Sequence, residues 1–433
     1  MGTLGTWGAS GATGYRKRGI REASCVVAVS PVVAGSRGRE HVKRRRRTTL
    51  AVLAASVAAM LALGGAASAQ DPDPLSTLAD PGSADVGAAE PSGASSFKVV
   101  AKGLDNPRGL AIGPNGTLYV AEAGKGGSGP CGPGPEGGQV CYGKSGALTR
   151  VKDGVQKRVI KGLPSFAGEG GVAAEGPSDV SVLGQAGSLG RFVTVGGFVT
   201  ESGGARDISG DNRFQTLLRL KGEELKRVAD LLAYEKKNNP DGQQIDSDPY
   251  SLATSKRARV VADAGANDLL ELEGGDISTL AVFPNRQVEG PGGETVSMEA
   301  VPDSVAKAPG GGYYVGELTG FPFPVGGARV YRVVPGSKPK VYAKDFTNII
   351  DVAVGPKGGL YVLEIAKKGL LQAFAGGDFT GRLVHLSPDG KRKVVASKGL
   401  VAPTSVAVGP KGAVYVSNFG IFPEEGQVVR ITP

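Results

Sequence analysis

Residues 105–124 read "DNPRGLAIGPNGTLYVAEAG", and residues 401–420, near the other end of the chain, read "VAPTSVAVGPKGAVYVSNFG". Eight of the twenty aligned positions are identical, including both prolines, three glycines and the Tyr-Val pair. Each copy consists of a short apolar run, a Gly-Pro turn and a second apolar run, which is typical of two adjacent antiparallel strands. The repetition indicates a fold that uses one structural unit several times.

Weaker copies of the same phrase fill the interval, with spacings of 70, 72, 53, 47 and 54 residues. The six copies begin at Pro107, Pro177, Pro249, Pro302, Ile349 and Pro403. Behind each copy the sequence contains further short runs rich in β-branched residues, separated by turns such as PNG, KDG and PDG. Four antiparallel strands repeated six times predict an all-β fold, a six-bladed β-propeller over residues 97–433.

The two ends of the chain predict how the ring closes. The sixth repeat stops at "QVVRITP", its third strand, while "SSFKVVAKGL" at 95–104 matches the fourth-strand sequence "KRKVVASKGL" at 391–400. The N-terminal strand is therefore expected to complete the last blade, which leaves no exposed sheet edge. A helical bundle is disfavoured, because the chain has 70 Gly and 28 Pro and no long run of period 3.6 beyond the first 69 residues.

The first 96 residues have a different composition from the repeats. A basic KRRRR at 43–47, an apolar run at 50–63 and Ala67-Ser68-Ala69 predict a secretory signal peptide within residues 1–69, cleaved after Ala69. Its n-region is unusually long, which suggests an upstream start codon with Val42 as the true initiator. Residues 70–96, rich in Asp, Pro, Ser, Gly and Ala, predict a disordered tether. We therefore expect a secreted, extracytoplasmic bacterial protein without a membrane span after cleavage.

The formal net charge of +9 belongs to the leader. Residues 1–69 contain 11 Lys and Arg against two Glu, so the remaining chain has 39 basic and 39 acidic residues. A mature protein with no net charge gives no support to nucleic-acid binding or to attraction by an anionic membrane. The expected partners are instead a small molecule or an extracellular protein.

Two cysteines remain after cleavage, Cys131 and Cys141 in "PCGPGPEGGQVCYG". In an exported protein they predict a disulfide, which closes a loop of about 11 residues and stabilises the fold by roughly 3 kcal/mol. A metal or redox pair is the alternative, although the spacing is longer than CxxC. The only histidine of the mature chain is His385. The sequence therefore gives almost no support to Ser-His-Asp catalysis or to a His-rich metal site.

Loop lengths indicate one elaborated face. If the innermost strand of each blade runs from the upper to the lower rim, the lower turns are all short and the long insertions are all upper. These insertions are 124–146, 164–176, 197–213, 233–247, 284–300, 318–328 and 365–381. Long loops on a rigid scaffold commonly carry binding sites, so the upper face is the expected site of function.

Two sets of polar residues are predicted to face the upper side. The first, at the mouth of the central channel, comprises Arg108, Asp179, Ser251, Asp303, Asp351 and Ser405. Within it, Asp179, Asp303 and Asp351 form a candidate Ca²⁺ site, with a purely structural role as the alternative. The second set, at the ends of the second strands, comprises Glu122, Asp263, Glu317, Glu364 and Asn418, with Val195 in the second blade. For this set, turn capping is favoured over metal binding.

Aromatic residues in the upper loops supply a candidate ligand-binding set. Phe321 and Phe323 lie between prolines in "GFPFP", and Phe419 and Tyr250 lie in comparable segments; Arg108 joins them at the channel mouth. Aromatic rings held by proline could stack on a planar or hydrophobic ligand. The alternative is that they pack the loops down onto the blades.

Several segments together resemble the ScyD/ScyE family of secreted bacterial propeller proteins. They include "GLDNPRGLAIGPNGTLYVAEAG", "CGPGPEGGQVCYG", "YEKKNNPDGQQIDSDPYSL", "GELTGFPFPVGGARVYRV" and "TNIIDVAVGPKGGLYVLEI". The resemblance covers about residues 97–433 in order, and the repeats are also similar, more loosely, to NHL repeats. The family is named for scytonemin pigment biosynthesis, and the resemblance implies an exported six-bladed propeller connected with extracytoplasmic assembly of an aromatic indole-phenol dimer. No catalytic residues carry over from it.

Two functions from different classes follow. The leading hypothesis is an exported, non-enzymatic or weakly enzymatic propeller that binds a small or aromatic ligand, or a partner, on its upper face. The alternative is a Ca²⁺-dependent propeller enzyme similar to lactone hydrolases, with the metal held by Asp179, Asp303 and Asp351. A structural role at the cell surface, with the tether as a spacer, stays open.

Overall fold

A computed structural model describes residues 96–432 except 136–137, 184–189, 201–202 and 222–223. The predicted signal peptide and nearly all of the predicted tether lie outside the described residues. No helix within the described part is long and apolar enough to cross a membrane.

The first described strand is β1 (Ser96–Leu104), and blades 1 to 3 follow it. Blades 2 and 3 are sheets of four antiparallel strands, and blade 1 has a fifth, short strand. Blade 1 consists of β2 (Pro107–Ile112), β3 (Leu118–Glu122), β5 (Gln139–Lys152) and β6 (Val155–Ala167), with the short β4 (Cys131–Pro133) beside β5. Blade 2 consists of β7 (Pro177–Leu183), β8 (Gly190–Val195), β11 (Thr216–Lys221) and β12 (Glu224–Asp230). Blade 3 consists of β13 (Pro249–Thr254), β14 (Ala258–Asp263), β15 (Asp268–Glu273) and β16 (Asp276–Val282).

Blades 4 to 6 follow the same order. Blade 4 consists of β19 (Pro302–Lys307), β20 (Tyr313–Glu317), β21 (Ala328–Val333) and β22 (Lys340–Phe346). Blade 5 consists of β23 (Ile349–Val354), β24 (Leu360–Glu364), β25 (Arg382–Leu386) and β26 (Arg392–Ala396). Blade 6 consists of β27 (Ser405–Val408), β28 (Val414–Asn418), β29 (Gly426–Thr432) and, as its outermost strand, β1. The predicted six-bladed β-propeller is confirmed.

The predicted closure of the ring is also present. β1 pairs antiparallel with β29, from Ser96 opposite Thr432 to Leu104 opposite Gly426. The innermost strand β27 contacts β2, so the six innermost strands form a continuous ring around the channel. The first and last segments of the described chain therefore share one sheet, and β29 has no open edge.

The hydrophobic core lies between neighbouring blades. Val330 of blade 4 packs in one cluster with Val352 and Val362 of blade 5, and all three are buried. Ala101 and Val428 of blade 6 pack in the same way against blade 1. Burying a Val or Leu side chain stabilises the fold by about 1.5–3 kcal/mol. Repeated packing of aliphatic blade faces therefore supplies the stability that few aromatic side chains provide here.

The upper rim carries the insertions, as predicted, but some of them are regular. They contain three short helices, α1 (Ala205–Ser209), α2 (Leu231–Asn238) and α3 (Leu370–Gly376), and two small hairpins, β9 (Val199–Thr200) with β10 (Gly203–Gly204) and β17 (Arg286–Glu289) with β18 (Thr295–Met298). The start of α2 has a local cause, because the Asp230 carboxylate accepts the Ala233 N–H at 3.1 Å. Its end is Asn239, which adopts the left-handed conformation that Asn tolerates.

Candidate functional site

The channel-mouth residues predicted as one ring occupy two successive register positions. Asp179 lies opposite Thr194 in its blade and Asp351 opposite Leu363, whereas in blade 4 the equivalent position is held by Ser304, opposite Gly316. Asp303 and Arg108 are therefore one residue nearer the upper rim than Asp179, Ser251, Asp351 and Ser405. Counted from the first residue of each repeat, Arg108 and Asp303 are the second residue, whereas the other four are the third.

Asp179 and Asp351 make the same contacts in opposite blades. Asp179 accepts the backbone N–H of Val180 at 2.7 Å and that of Leu252 in blade 3 at 2.8 Å. Asp351 accepts the N–H of Val352 at 2.7 Å and that of Val406 in blade 6 at 2.8 Å. Each of these carboxylates thus bridges two neighbouring innermost strands.

Glycine at position 109 makes room for this arrangement. A Cβ added to Gly109 would lie 2.0 Å from Asp179 Oδ1 and 2.6 Å from the Asp179 Cα. Any other residue there would push blade 1 away from blade 2 at the narrowest part of the ring. The Gly-Asp contact therefore explains why the first repeat has glycine where other repeats have a polar residue.

Arg108, Asp303 and Tyr250 lie just above this level. The Arg108 guanidinium is buried and donates to the Ala174 carbonyl at 2.9 Å and, at 3.4 Å, to the Tyr250 hydroxyl. Asp303 is only 2% exposed, and no described residue donates a hydrogen bond to its carboxylate. Burial raises the pKa of Asp303 well above its ordinary range, although the nearby Arg108 lowers it.

The three candidate metal ligands are brought together by the fold. Asp179, Asp303 and Asp351 line one cavity of about 10 Å³ in the channel, together with Tyr250 and Ser251. A cavity of this volume has room for about one water molecule. In the described part of the chain, no group of three or more His, Cys, Asp or Glu side chains is arranged to hold a metal ion. The channel mouth thus has the geometry of a buried polar belt and no space for an organic substrate.

The channel acids should make stability depend on pH. Burial raises the pKa of Asp351 from its ordinary value of 3.8 to about 6, against the opposing effect of its hydrogen bonds. Between these two values the folded state retains a proton that the unfolded chain releases, so the free energy of unfolding falls as pH rises. Urea unfolding should show a decrease of about 2 kcal/mol from this residue between pH 4 and pH 7.

Asp351→Asn should make this pH dependence shallower, whereas Asp276→Asn, on an exposed outer strand, should leave it unchanged. Equal slopes in all three proteins would show that Asp351 is ionised in the folded state throughout this range.

Four of the five polar residues in the second set make capping contacts, whereas Glu317 pairs with the Arg286 guanidinium. Glu122, Glu364 and Asn418 accept the backbone N–H groups of Asp105, Thr347 and Val401 at 2.8, 2.8 and 2.7 Å. Asp263 accepts the Asp248 N–H at 2.6 Å in the same way. Each contact fixes the segment that leads into the innermost strand of the same blade, which supports the capping role.

The predicted aromatic residues mainly pack the upper loops. The rings of Phe321 and Phe323 are 6.4 Å apart, and those of Phe419 and Phe422 are 6.5 Å apart. Phe323, Phe422 and Tyr250 pack against a single cluster of buried residues that includes Ile350 at the channel. Phe321 differs from them, because 39% of its surface is exposed.

A second, larger opening on the upper face lies between two of the predicted insertions. A cavity of about 640 Å³ lies between the β3–β5 loop and the crossing from blade 1 to blade 2. The described lining comes from residues 125–141 and 166–175, and includes Phe166, Val140, Val172, Lys125 and Glu175. The predicted aromatic set is not among these described lining residues.

A disulfide and a pair of side-chain hydrogen bonds hold the cavity walls in place. The Cys131–Cys141 disulfide, predicted above, is present, and Cys141 lines the cavity. On the inner side, the buried Asn106 donates both amide hydrogens, to the carbonyls of Gly124 and Gly171, at 2.8 Å each. The disulfide therefore holds β4 against β5 within one wall, and Asn106 joins this wall to the opposing loop.

The cavity adjoins the channel mouth. Glu175 lines the cavity, and burial, with a further contribution from the Glu175 carboxylate, raises the pKa of Asp248. Arg108 in turn hydrogen-bonds the Ala174 carbonyl, one residue before Glu175. The buried polar belt thus supports the inner wall of the cavity.

Neither a protein-family model nor a curated protein matches the chain. Three similar solved structures are virginiamycin B lyase from Staphylococcus aureus, a gluconolactonase-like protein, and the PQQ-bound aldose sugar dehydrogenase from Streptomyces coelicolor. Their identities to this chain are 10%, 11% and 13%, and their TM-scores 0.43, 0.43 and 0.45. The matches cover 78%, 79% and 79% of this chain and 99%, 94% and 99% of the others. Similarity at this level carries no information about activity or ligand.

Proposed function

We propose that this protein is an exported, non-catalytic β-propeller, similar to the ScyD/ScyE family, that binds a small molecule in the upper-face cavity. The observation that carries the proposal is the cavity itself. Its volume of about 640 Å³ lies within the range of about 300–1,000 Å³ that is usual for ligand sites. The leader sequence and the disulfide support export, because disulfides persist in oxidising compartments.

The lining favours a planar, largely apolar ligand. Phe166 and Val140 supply apolar surface, while Gly168, Gly170 and Gly171 expose peptide planes without side chains. A flat ring can lie against such peptide planes, and a few polar groups at the rim, such as Lys125, can orient it. This chemistry agrees with the aromatic ligand that the family resemblance implies.

The ligand-binding residues expected from the sequence have a supporting role in this proposal. Arg108 and Tyr250 hold the segment that ends at Glu175 and thereby fix the inner wall of the cavity. Phe323 packs within the upper loop of blade 4, and Phe419 packs within the upper loop of blade 6. Phe321, with its exposed ring, is the remaining candidate for direct contact with a ligand or an extracellular protein partner.

Filling the cavity should abolish binding. Val172→Trp places an indole in the cavity from a half-buried position with extended backbone. Val155→Trp is the matched control, because Val155 is 65% exposed at the lower rim of the same blade. Planar aromatic compounds that raise the melting temperature of the wild type are then titrated by calorimetry. Val172→Trp should weaken their binding at least about tenfold and Val155→Trp should not.

Equal affinities of the two variants for the same compound would place its binding site elsewhere. A different result is that no compound raises the melting temperature of the wild type, and that an extracellular protein binds the wild type but not Val172→Trp. This result would identify the cavity as a protein-docking site.

A Ca²⁺-dependent hydrolase is the second candidate, and one observation favours it. Asp303 is buried in the same cavity as Asp179 and Asp351, and no donor among the described residues reaches its carboxylate. The residues fit a cation better than a substrate, because three carboxylates supply oxygen ligands but the cavity is only about 10 Å³. Elemental analysis, with lactone hydrolysis measured before and after chelation, tests this candidate. Absence of bound metal and an activity that does not change with chelator would eliminate it.

A further inference from the structure

A separate group of carboxylates lies at the upper end of blade 3. Asp263 ends β14 and Asp268 begins β15, and the two residues are directly opposite each other across the intervening turn. Glu235 belongs to α2, and Asp241 to the loop that follows this helix. The four carboxylates are close enough to affect one another electrostatically.

Two members of this group are buried and have no partner. Glu235 is 2% exposed and Asp268 is 0% exposed. Among the described residues, no donor reaches either carboxylate oxygen of Glu235 or of Asp268. A buried carboxylate is normally paired or hydrogen-bonded, because desolvation strongly disfavours an isolated charge.

The other two members are already held by donors. Asp263 accepts the Ser247 hydroxyl at 2.7 Å and the Asp248 N–H at 2.6 Å. Asp241 accepts the Gln243 N–H at 2.9 Å and the Asn267 amide at 3.3 Å, which ties its loop to the turn beside Asp268. The two pairs therefore differ, since only Glu235 and Asp268 have all their oxygens available.

No positive charge compensates the group. Lys236 and Lys237 are exposed on α2, and within the described residues no Lys or Arg forms an ion pair with any of the four carboxylates. Burial and the surrounding carboxylates raise the pKa of Glu235 to about 7 and that of Asp268 well above its ordinary range. Without a cation, the two carboxyls are thus favoured in their neutral, protonated form, and a bound cation would replace these protons.

We propose that the carboxylate group of blade 3 binds a hard divalent cation, best matched by Ca²⁺, through the carboxylates of Glu235 and Asp268. The described residues contain no group of three or more acidic, His or Cys side chains arranged for a metal. Ca²⁺ does not need one, because it takes about six to eight oxygens, and carbonyl, amide and water oxygens complete its shell. Mg²⁺ fits less well, since it demands near-ideal octahedral geometry. The bound cation would join α2 to the start of β15.

The test is thermal unfolding of the purified protein at pH 7 after chelation, with Ca²⁺, with Mg²⁺ or with no added metal. Ca²⁺ at about 1 mM should raise the melting temperature by about 3 °C or more, and Mg²⁺ should raise it less. Equilibrium dialysis with elemental analysis should find about one Ca²⁺ per chain.

Matched variants locate the cation. Glu235→Gln with Asp268→Asn retains the side-chain shapes and should remove the Ca²⁺-dependent rise. Asp179→Asn, at the channel mouth, should keep it. If the double variant does not fold, Glu235→Gln alone should reduce Ca²⁺ affinity at least about tenfold. The proposal is overturned if Ca²⁺ leaves the melting temperature of the wild type unchanged, or if Asp179→Asn removes the rise and the Glu235 and Asp268 variants keep it.

Discussion

Deletion of residues 96–104 is expected to abolish the native fold. These residues are β1, the outermost strand of blade 6, and they pair along the length of β29. Their loss would expose the edge of β29 and remove Ala101 and Leu104 from the cluster that joins blade 6 to blade 1. Because a domain of this kind is stable by only about 5–15 kcal/mol, an open ring should unfold or aggregate.

The measurement is circular dichroism with size-exclusion chromatography on two matched proteins. A truncation that begins at residue 95 keeps β1 and should melt cooperatively as a monomer. A circular permutant that begins at Pro107 and places residues 95–106 after Thr432 should also fold, because it restores the pairing of β1 with β29. A deletion of β1 that melts within a few degrees of the longer protein would contradict closure by this strand.

Glu122→Ala should cost about 2–4 kcal/mol of stability. The Glu122 side chain is fully buried and lies 2.6 Å from the guanidinium of Arg158, which also contacts Asp105 at 3.0 Å. Its carboxylate accepts the Asp105 N–H at 2.8 Å, so the substitution releases the segment that enters β2. About a third of the Arg158 side chain is exposed, and water therefore reduces the cost of leaving this cation unpaired.

Denaturant unfolding measures the change, with Glu224→Ala as the control, since Glu224 lies exposed on the outer strand of blade 2. The control should change the free energy of unfolding by less than about 0.5 kcal/mol. Similar small losses for both variants would mean that the repeat-end acids are dispensable for fixing the entry to each blade.

The repeated phrase was sufficient to predict the fold because each copy carries its own turn and strand signals. "LYVAE" and "VYVSN" correspond to β3 and β28. Closure was predictable because the sequence of β1 resembles that of the fourth strand of blade 5. The short helices in the upper loops were missed, since Asp230 as the first cap of α2 is a weak signal beside the many Asp residues in turns.

The site was predicted only in part. Convergence of Asp179, Asp303 and Asp351 on the channel follows from strand position, which a repeat reveals. The upper cavity could not be predicted in this way. Its walls depend on the hydrogen bond from Asn106 to Gly171, 65 residues later, and on the path of glycine-rich loops. The Glu235 and Asp268 carboxylates likewise could not be grouped from the sequence, since they lie in a helix and a strand that are separated along the chain.

Hydrogen exchange of the protein with and without a bound aromatic ligand tests the proposed function most directly. A ligand seated in the upper cavity should slow exchange in residues 124–135, 138–143 and 166–176, where backbone amides line or support its walls. Exchange at the lower turns, such as 113–117 and 153–154, should stay the same. Protection concentrated at the lower turns, or none in the two upper segments despite saturating ligand, would contradict a binding site on the upper face.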